Sequence, residues 1–401
     1  MPINCILYPP TVDYHYLMQR PQQLLRALAR LGITVYYTVP RQSINRFPSN
    51  TPNLILTAEL PWYLKLKQSV VFYFTYPPHI FLARKYPQAL VVFDSIDLPI
   101  EEFRGWGTFY REALGGADLV LASSQKLLKQ ALDVNPNSIL IPNGCDFEFF
   151  APAREHLLPP PPELKDLPRP IIGYFGSISS WCDLDLVREV AVGYPSASVV
   201  MIGPVVGQPS LPQCKNLHWI GYRPYESIPA YAQMFDVAII PFRISNMTEA
   251  VNPVKMWEYL AAGLPVVSTA LPEARDLEGV YWSANDKDFI KNIDKALRDE
   301  NKEARLRLAR ENTWLSRAMV ISNQVEILLP ARLNPEKLLP AAPVITRKIA
   351  NNISLNAVVS SPKENKALPP SLYQPSLTIK TRHPRIVSLK HTNPESSFAI
   401  L

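Results

Sequence analysis

The feature that most constrains the fold is a repeated alternation of short buried strands with segments of helical period. The first strand is predicted at Cys5–Tyr8. A helix follows that begins at Pro21, and then a second strand at Ile33–Val39, which is rich in β-branched and aromatic residues. Strands that alternate with helices in this way are typical of a parallel sheet covered by helices. The sequence therefore predicts an α/β protein.

A proline-rich segment divides the alternation into two series. Prolines make a connector stiff and extended, so this segment is the best candidate for a domain boundary. We predict an N-terminal domain over residues 1–150, a linker over 151–170, and a C-terminal domain over 171–330 that ends in a long helix.

The basic charge of the chain is concentrated in its last segment. The formal net charge is +6, of which residues 331–401 contribute +7 and the remainder −1. This segment has nine prolines, no glycine and little apolar periodicity, which predicts a disordered or loosely docked tail. The neutral body argues against a nucleic-acid groove, whereas the basic tail suits an anionic surface.

The remaining composition indicates a cytoplasmic protein. No apolar run reaches the length of a membrane span, and the N-terminus lacks the pattern of a signal peptide. The four cysteines are scattered and show no metal-ligand spacing, so free thiols are expected. Trp62 to Lys67 mix aromatic residues with lysines. This segment fits either a partly buried amphipathic turn, the commoner case, or a peripheral contact with the inner face of the cytoplasmic membrane.

The stretch Val251–Thr269 carries the densest signals. It predicts a helix with Asn252 as its N-cap and Gly263 as the residue that stops it. A short buried strand follows. Lys255 and Glu258 lie three residues apart, hence on one helix face, close to its N-terminus. Because a helix N-terminus attracts anions, this pair suits a ligand with phosphate and sugar hydroxyls. A surface ion pair is the alternative.

Several segments occur in an order that is typical of one family. In the second series they are IIGYFGSISSWCDLDLV, VVMIGP, NLHWIGYRPYESIPAYAQMFDVAIIPF and NPVKMWEYLAAGLPVVST. In the first they are QRPQQLLRALARLG, ADLVLASSQKLL and IPNGCDFEFF. Together they resemble the retaining glycosyltransferases of family 4, or group 1, which include enzymes of teichuronic acid and surface-polysaccharide biosynthesis. The resemblance implies a GT-B fold, in which two Rossmann-like domains face a cleft.

The resemblance also implies a reaction. A sugar is transferred from a nucleotide-diphosphate sugar to an acceptor hydroxyl, with anomeric retention and with neither a metal ion nor a cofactor. The acceptor is expected to be a saccharide or a lipid-linked saccharide in cell-surface polysaccharide or glycolipid biosynthesis. A nucleotide-sugar epimerase and a non-catalytic scaffold that binds a nucleotide or a glycan are the alternatives.

Within the family pattern, Glu258 matches the second glutamate of a paired motif and is expected to hold the ribose hydroxyls of the donor. The first glutamate of that motif lies eight residues earlier, and this position is Ala250. Glu249 is adjacent but does not align. One family contact to the donor sugar is therefore not expected here.

The diphosphate site also departs from the family pattern. Gly176 and Ser177 begin the loop after the first strand of the second series and are predicted to line the donor site. The cations that the family places in this loop are missing. Lys255, as a catalytic residue, and Arg243 are therefore the candidates for binding the diphosphate, with help from the backbone N–H groups that start at Asn252.

Acceptor-side candidates come from the first series. Asp97 follows a buried strand, and ligands in open α/β sheets bind at the carboxyl ends of strands. We predict Asp97 as a catalytic residue and place Asp13, His15, Gln19 and Arg20 on the acceptor side. Capping or ion pairing is the alternative for these residues.

Overall fold

The structure is a computed structural model that describes residues 2–40, 49–65, 67–207 and 209–333. Within these ranges the chain forms two sheets of parallel strands with helices packed on them, so the predicted α/β class is confirmed. Both sheets belong to one compact unit. The predicted basic tail lies outside the described residues, except that residues 331–333 continue the last helix.

The first sheet has seven strands in the order β3-β2-β1-β4-β5-β6-β7, and all neighbouring pairs are parallel. The sequences of its inner strands are continuous apolar runs, because helices cover both faces of the sheet. The strands are β1 Cys5–Tyr8, β2 Thr34–Thr38, β3 Leu54–Thr57, β4 Val70–Phe74, β5 Leu90–Ser95, β6 Leu119–Ala122 and β7 Ser138–Leu140.

Four helices accompany this sheet: α1 Arg20–Arg30, α2 Ile80–Ala83, α3 Gly107–Gly116 and α4 Gln125–Leu132. A short fifth helix, α5 Ala151–Arg154, buries Ala153 in the core of the second sheet. The apolar stripe of α1, which includes Leu24 and Leu28, is fully buried against one face of the sheet. Helices α2 and α3 cover the opposite face with residues such as Ile80 and Leu114.

The second sheet has six parallel strands in the order β10-β9-β8-β11-β12-β13. The strands are β8 Ile171–Phe175, β9 Ser198–Ile202, β10 Leu217–Gly221, β11 Val237–Ile240, β12 Val266–Ser268 and β13 Val280–Trp282. The helices are α6 Leu184–Gly193, α7 Ile228–Ala232, α8 Val254–Ala261, α9 Asp286–Leu297, α10 Lys302–Glu311 and α11 Trp314–Leu333.

The end of the chain differs from its prediction. The expected single helix over residues 301–329 is two helices, interrupted where Thr313 bridges to Cys145. The second of them, α11, does not stay with the second sheet. Its buried residues, among them Trp314, Ile321 and Leu329, join the core beneath α1 on the first sheet. The last helix thus crosses back and ties the two halves of the chain together.

The proline-rich linker is also more ordered than a stiff extended connector. Leu164 is fully buried in the core of the second sheet. The Gln233 side chain donates to the carbonyl of Leu158 at 2.6 Å and accepts from its N–H at 3.2 Å. Because its backbone and side chains pack on the second sheet, this segment is part of that half of the molecule.

Among the described residues, no helix is long and apolar enough to cross a membrane.

Candidate active site

A cavity lies where the carboxyl ends of three neighbouring strands, β8, β9 and β10, meet the N-terminus of α8. Two glycines let these strand ends come close together. Gly176 has φ +138° and Gly203 has φ +147°. A Cβ atom on Gly203 would lie 1.9 Å from the carbonyl oxygen of Gly176, and one on Gly176 would lie 2.5 Å from Cε of Lys255. Gly176 and Ser177 line the cavity at this turn, where the sequence places them.

Lys255 stands in the first turn of α8 and lines the same cavity. Its ammonium lies 4.7 Å from the ring centroid of Phe242 and 5.5 Å from that of Tyr174. Among the described residues, these two aromatic faces contact the ammonium and no carboxylate forms an ion pair with it. Burial lowers the pKa of Lys255, while the charge of Glu258 opposes this effect. A buried cation at a helix N-terminus without a paired counterion is suited to binding an anionic ligand.

Glu258 follows one turn later and is also buried, with 5% of its surface exposed. Its Oε1 accepts a hydrogen bond of 2.8 Å from the hydroxyl of Tyr225. Burial raises the pKa of Glu258 to about 7, and the Tyr225 hydrogen bond and Lys255 partly offset this rise. Glu258 therefore has the geometry of a carboxylate held ready to accept hydrogen bonds from a ligand. The alternative of a surface ion pair does not fit, because both residues are buried.

Sequence reasoning missed the three aromatic residues that hold this pair. Tyr225 follows β10 in the segment GYRPYE and stacks on Phe149, with ring centroids 4.6 Å apart. Tyr174 and Phe242 end buried strand segments and appear in the sequence as ordinary core residues. Their position at carboxyl strand ends is the only signal that could have marked them.

Two predicted donor-binding residues are occupied elsewhere. The Asn252 side chain accepts from the backbone N–H of Asn143 at 3.2 Å and from Nε1 of Trp257 at 2.9 Å. Its amide nitrogen donates to Glu273 at 3.0 Å, so both polar atoms of the side chain have partners within the protein. Nor is it the N-cap of α8, since Pro253 takes that position. Asn252 is thus a structural residue that fixes the segment before α8.

Arg243 points to the surface. Its guanidinium lies 3.3 Å from the carboxylate of Asp185 and 3.4 Å from that of Asp183, and about half of the side chain is exposed. It does not line the cavity that contains Lys255. Two acidic residues, Asp183 just before α6 and Asp185 within it, pair with Arg243 at the surface, and a role at the donor site stays a prediction.

Arg20 is buried at the carboxyl edge of the first sheet but is fully paired. Its Nε donates to Oδ2 of Asp94 at 2.8 Å and its second terminal nitrogen to Oδ1 at 2.8 Å. The first terminal nitrogen donates to Asn143 at 2.9 Å. Tyr73 adds a hydrogen bond of 2.5 Å to Asp94. Because Asn143 in turn binds Asn252, Arg20 braces the contact between the two domains.

The other acceptor-side candidates are spread out. Asp97 follows β5, is buried, and its Oδ2 has no hydrogen-bond partner among the described residues. Burial, helped by the charge of Asp94, raises the pKa of Asp97 to about 7. Asp13 accepts from the backbone N–H of His15 at 2.8 Å, and His15 is exposed. Asp97 keeps the character of a candidate group, whereas Asp13 and His15 lie in a surface turn outside the described cavity.

The departure from the family motif at Ala250 has a structural role. Ala250 is buried in a small apolar cluster with Leu98 and Leu127 of the first domain. Beside it, the carboxylate of Glu249 accepts from Lys126 of the first domain at 2.8 Å. A glutamate at position 250 would bury a charge in this apolar contact, so the segment serves the interface between the domains.

In the part of the chain that the structure describes, no three His, Cys, Asp or Glu side chains are grouped so as to hold a metal ion.

Comparison with known proteins agrees with this geometry. Residues 169–299 match the family model described as "Glycosyl transferases group 1". The teichuronic acid biosynthesis glycosyltransferase TuaH of Bacillus subtilis is 27% identical over 272 residues, which are 60% of this chain and 68% of TuaH.

Solved structures share the fold at low identity. Sucrose-phosphate synthase from Thermosynechococcus elongatus has a TM-score of 0.62 at 17% identity and covers 82% of this chain and 100% of its own. HepE of Anabaena, solved in complex with UDP and glucose, has a TM-score of 0.55 at 14% identity and covers 84% and 100%.

The two parallel sheets and these likenesses define a GT-B protein of the glycosyltransferase class, and the predicted fold and enzyme class are confirmed. More narrowly, residues 169–299 of the second half match the model of group 1 glycosyltransferases, in agreement with the resemblance seen in the sequence.

Proposed function

We propose that the enzyme transfers a sugar from a nucleoside-diphosphate sugar to the hydroxyl of a saccharide or lipid-linked acceptor. The observation that carries this proposal is the pairing of Lys255 and Glu258 inside one cavity, at the N-terminus of α8 and at the carboxyl ends of three strands. A cation for the diphosphate and a carboxylate for vicinal hydroxyls are the two groups that such a donor requires. HepE, a neighbour of the same fold, has been solved with UDP-glucose.

The proposed roles follow from charge and hydrogen-bonding capacity. Glu258 accepts hydrogen bonds from the ribose hydroxyls, and Tyr225 keeps one of its oxygens in place. Lys255 and the first N–H groups of α8 face the diphosphate and stabilise the charge that develops on it as the sugar leaves. Preorganised groups of this kind contribute on the order of 10²- to 10³-fold in rate in other enzymes. Charge stabilisation by the protein supports transfer without a metal ion, and retention is proposed from the family resemblance.

The likeness to TuaH supports a place in cell-surface polysaccharide or glycolipid biosynthesis. A lipid-linked acceptor brings the enzyme to the inner face of the cytoplasmic membrane. Trp62 and Tyr63 are 71% and 57% exposed beside Lys65, a combination that suits a peripheral contact with anionic lipid. Asp97 stays the candidate for the acceptor side, because its unpartnered oxygen is available to accept a hydroxyl proton.

A ligand screen tests the donor. The full chain is heated with UDP, GDP, ADP and dTDP and with a sugar derivative of each, and the shift in Tm is measured. One nucleoside diphosphate is expected to raise the Tm by several degrees, because a ligand that binds only the folded state stabilises it.

Transfer is then assayed with that donor and an acceptor panel. The anomeric configuration of the products is determined, and the assay is repeated with excess chelator. No shift with any of the eight compounds would contradict the proposed donor class. Conversion of the donor sugar to its epimer without an acceptor would identify an epimerase instead.

A further inference from the structure

The first domain contributes one wall of the cavity that contains Lys255 and Glu258. This wall is the segment Tyr16–Gln19, which precedes α1. It is joined to the opposite wall by Tyr16, whose ring stacks on Tyr222 with centroids 5.1 Å apart and whose carbonyl accepts from the Tyr222 hydroxyl. The cavity is therefore a compartment between the domains, and a ligand in it touches both.

Gln19 is the residue of this wall with an unmet hydrogen-bonding need. It lines the cavity, only 8% of its surface is exposed, and its Oε1 has no hydrogen-bond partner among the described residues. Its backbone is fully used, because its N–H donates to Gln22 at 3.2 Å and its carbonyl accepts from Gln23 at 3.1 Å. The side chain is thus held at the start of α1 in a capping box with Gln22, in which its amide oxygen forms no hydrogen bond.

A buried amide oxygen without a partner destabilises the folded protein, and a ligand hydroxyl that donates to it removes this penalty. An amide also donates through its nitrogen, so one glutamine can both accept from and donate to neighbouring hydroxyls. This dual capacity matches a sugar better than a diphosphate, which offers acceptors only. Lys255, on the opposite wall, already suits the diphosphate.

Resting on the proposed donor class, we propose that the Gln19 amide binds a hydroxyl of the sugar that is transferred. The second domain then binds the nucleoside diphosphate, and the first domain recognises the sugar. Selectivity for the donor sugar is accordingly assigned to Gln19 and the segment Tyr16–Gln19, away from the family motif. The alanine at position 250, where the family has a glutamate, makes such a contact from the other domain more important.

Isothermal titration without an acceptor tests this assignment. UDP and UDP-glucose are titrated into wild type and Gln19→Met, and GDP and GDP-mannose replace them if wild type binds only guanine nucleotides. Methionine keeps the length and volume of glutamine but removes both polar atoms. Affinity for the nucleotide sugar is expected to fall roughly five- to tenfold, as for the loss of one net hydrogen bond, while affinity for the nucleoside diphosphate changes less than twofold.

Gln23→Met is the matched control. Gln23 is the same residue type one turn later in α1, is 3% exposed, and has an unpartnered Nε2, yet it does not line the cavity. This variant should bind both ligands as wild type does. Equal losses for both ligands in Gln19→Met, or no loss for either, would overturn the assignment to the transferred sugar. If wild type binds no nucleoside diphosphate or nucleotide sugar at all, the proposed donor class fails, and this is a separate result.

Discussion

Two buried cations stand at the carboxyl ends of the two sheets, and both were predicted to bind ligands. Arg20, in the first domain, is 2% exposed and forms a two-pronged ion pair with Asp94. Lys255, in the second domain, is 8% exposed and has two aromatic rings as neighbours instead of a carboxylate. Their sequence contexts look alike, since each follows a loop and lies in the first turn of a helix, within two residues of a proline.

The difference lies in what balances the charge. Burying an ion is unfavourable unless it is paired, so a buried ion pair that is complete has a structural explanation. A buried cation without a counterion needs another explanation, and an anionic ligand supplies one. Only Lys255 therefore keeps the character of a binding residue, whereas Arg20 belongs to the network that joins the domains.

The largest expected effect is on stability. Arg20→Met leaves Asp94 buried and unpaired, which should lower the free energy of unfolding by about 3–5 kcal/mol in urea denaturation. Arg30→Met, on the same helix, removes a half-exposed ion pair with Asp146 and should lower it by less than about 1 kcal/mol. The double variant of Arg20→Met with Asp94→Leu should recover much of the loss. If Arg20→Met is as stable as wild type and only weakens acceptor binding, Arg20 is a binding residue and its structural assignment is wrong.

The next effect is on activity. Lys255→Met should reduce the rate of sugar transfer on the order of 10²- to 10³-fold, because the departing diphosphate loses its buried cation. The free energy of unfolding should stay equal or rise, since a desolvated charge is removed. Lys126→Met, which breaks the partly exposed pair with Glu249, is the control and should keep most of the activity. A Lys255→Met enzyme with wild-type turnover would remove the main support for the donor site.

Much of the fold could be predicted because strands and helices are coded by local periodicity. The segment that became α8 ends at Ala261, and Gly263 adopts φ +80° just beyond it, as a helix stop signal requires. The position of α11 could not be predicted, because its apolar face would suit either sheet. Whether it packs on its own domain or crosses over depends on tertiary contacts such as the bridge between Cys145 and Thr313.

The site was predictable only in part, for a related physical reason. Sequence spacing places Lys255 and Glu258 on one helix face, and that geometry is local. Whether a charged side chain has a partner depends on residues far away in the sequence. Arg243 pairs with Asp185, 58 residues away, and Arg20 pairs with Asp94, 74 residues away. Charge balance across such distances decides which candidates remain available to a ligand.

A smaller effect should appear in the pH dependence. Burial raises the pKa of both Glu258 and Asp97 to about 7. Between the ordinary carboxyl pKa and this value the folded protein holds protons that the unfolded chain has lost, so the free energy of unfolding should fall as the pH rises through this window. Ligand binding should move the other way, since ribose hydroxyls need the ionised carboxylate of Glu258. Affinity for the nucleoside diphosphate should rise roughly five- to tenfold from about pH 6 to about pH 8.

Variants separate the two carboxyl groups. In Glu258→Gln the affinity for the nucleoside diphosphate should be weaker and nearly constant with pH, because the amide does not titrate. Asp97→Asn should keep the wild-type rise in affinity but show a flatter fall in stability with pH. Titration calorimetry and urea denaturation at both pH values measure these quantities. A pH-dependent affinity that survives in Glu258→Gln would show that another group controls donor binding.

The smallest expected effect concerns Arg243, which shares one feature with each of the two cations compared above. It lies in the same domain as Lys255 but resembles Arg20 in having acidic partners, Asp183 and Asp185. Because about half of its side chain is exposed, these pairs contribute little, and Arg243→Ala should change the free energy of unfolding by less than about 1 kcal/mol. Donor affinity should change less than twofold, measured by the same calorimetry. A loss of tenfold or more would mean that the ligand draws Arg243 away from its surface partners, and paired cations would then have to be counted among the binding residues as well.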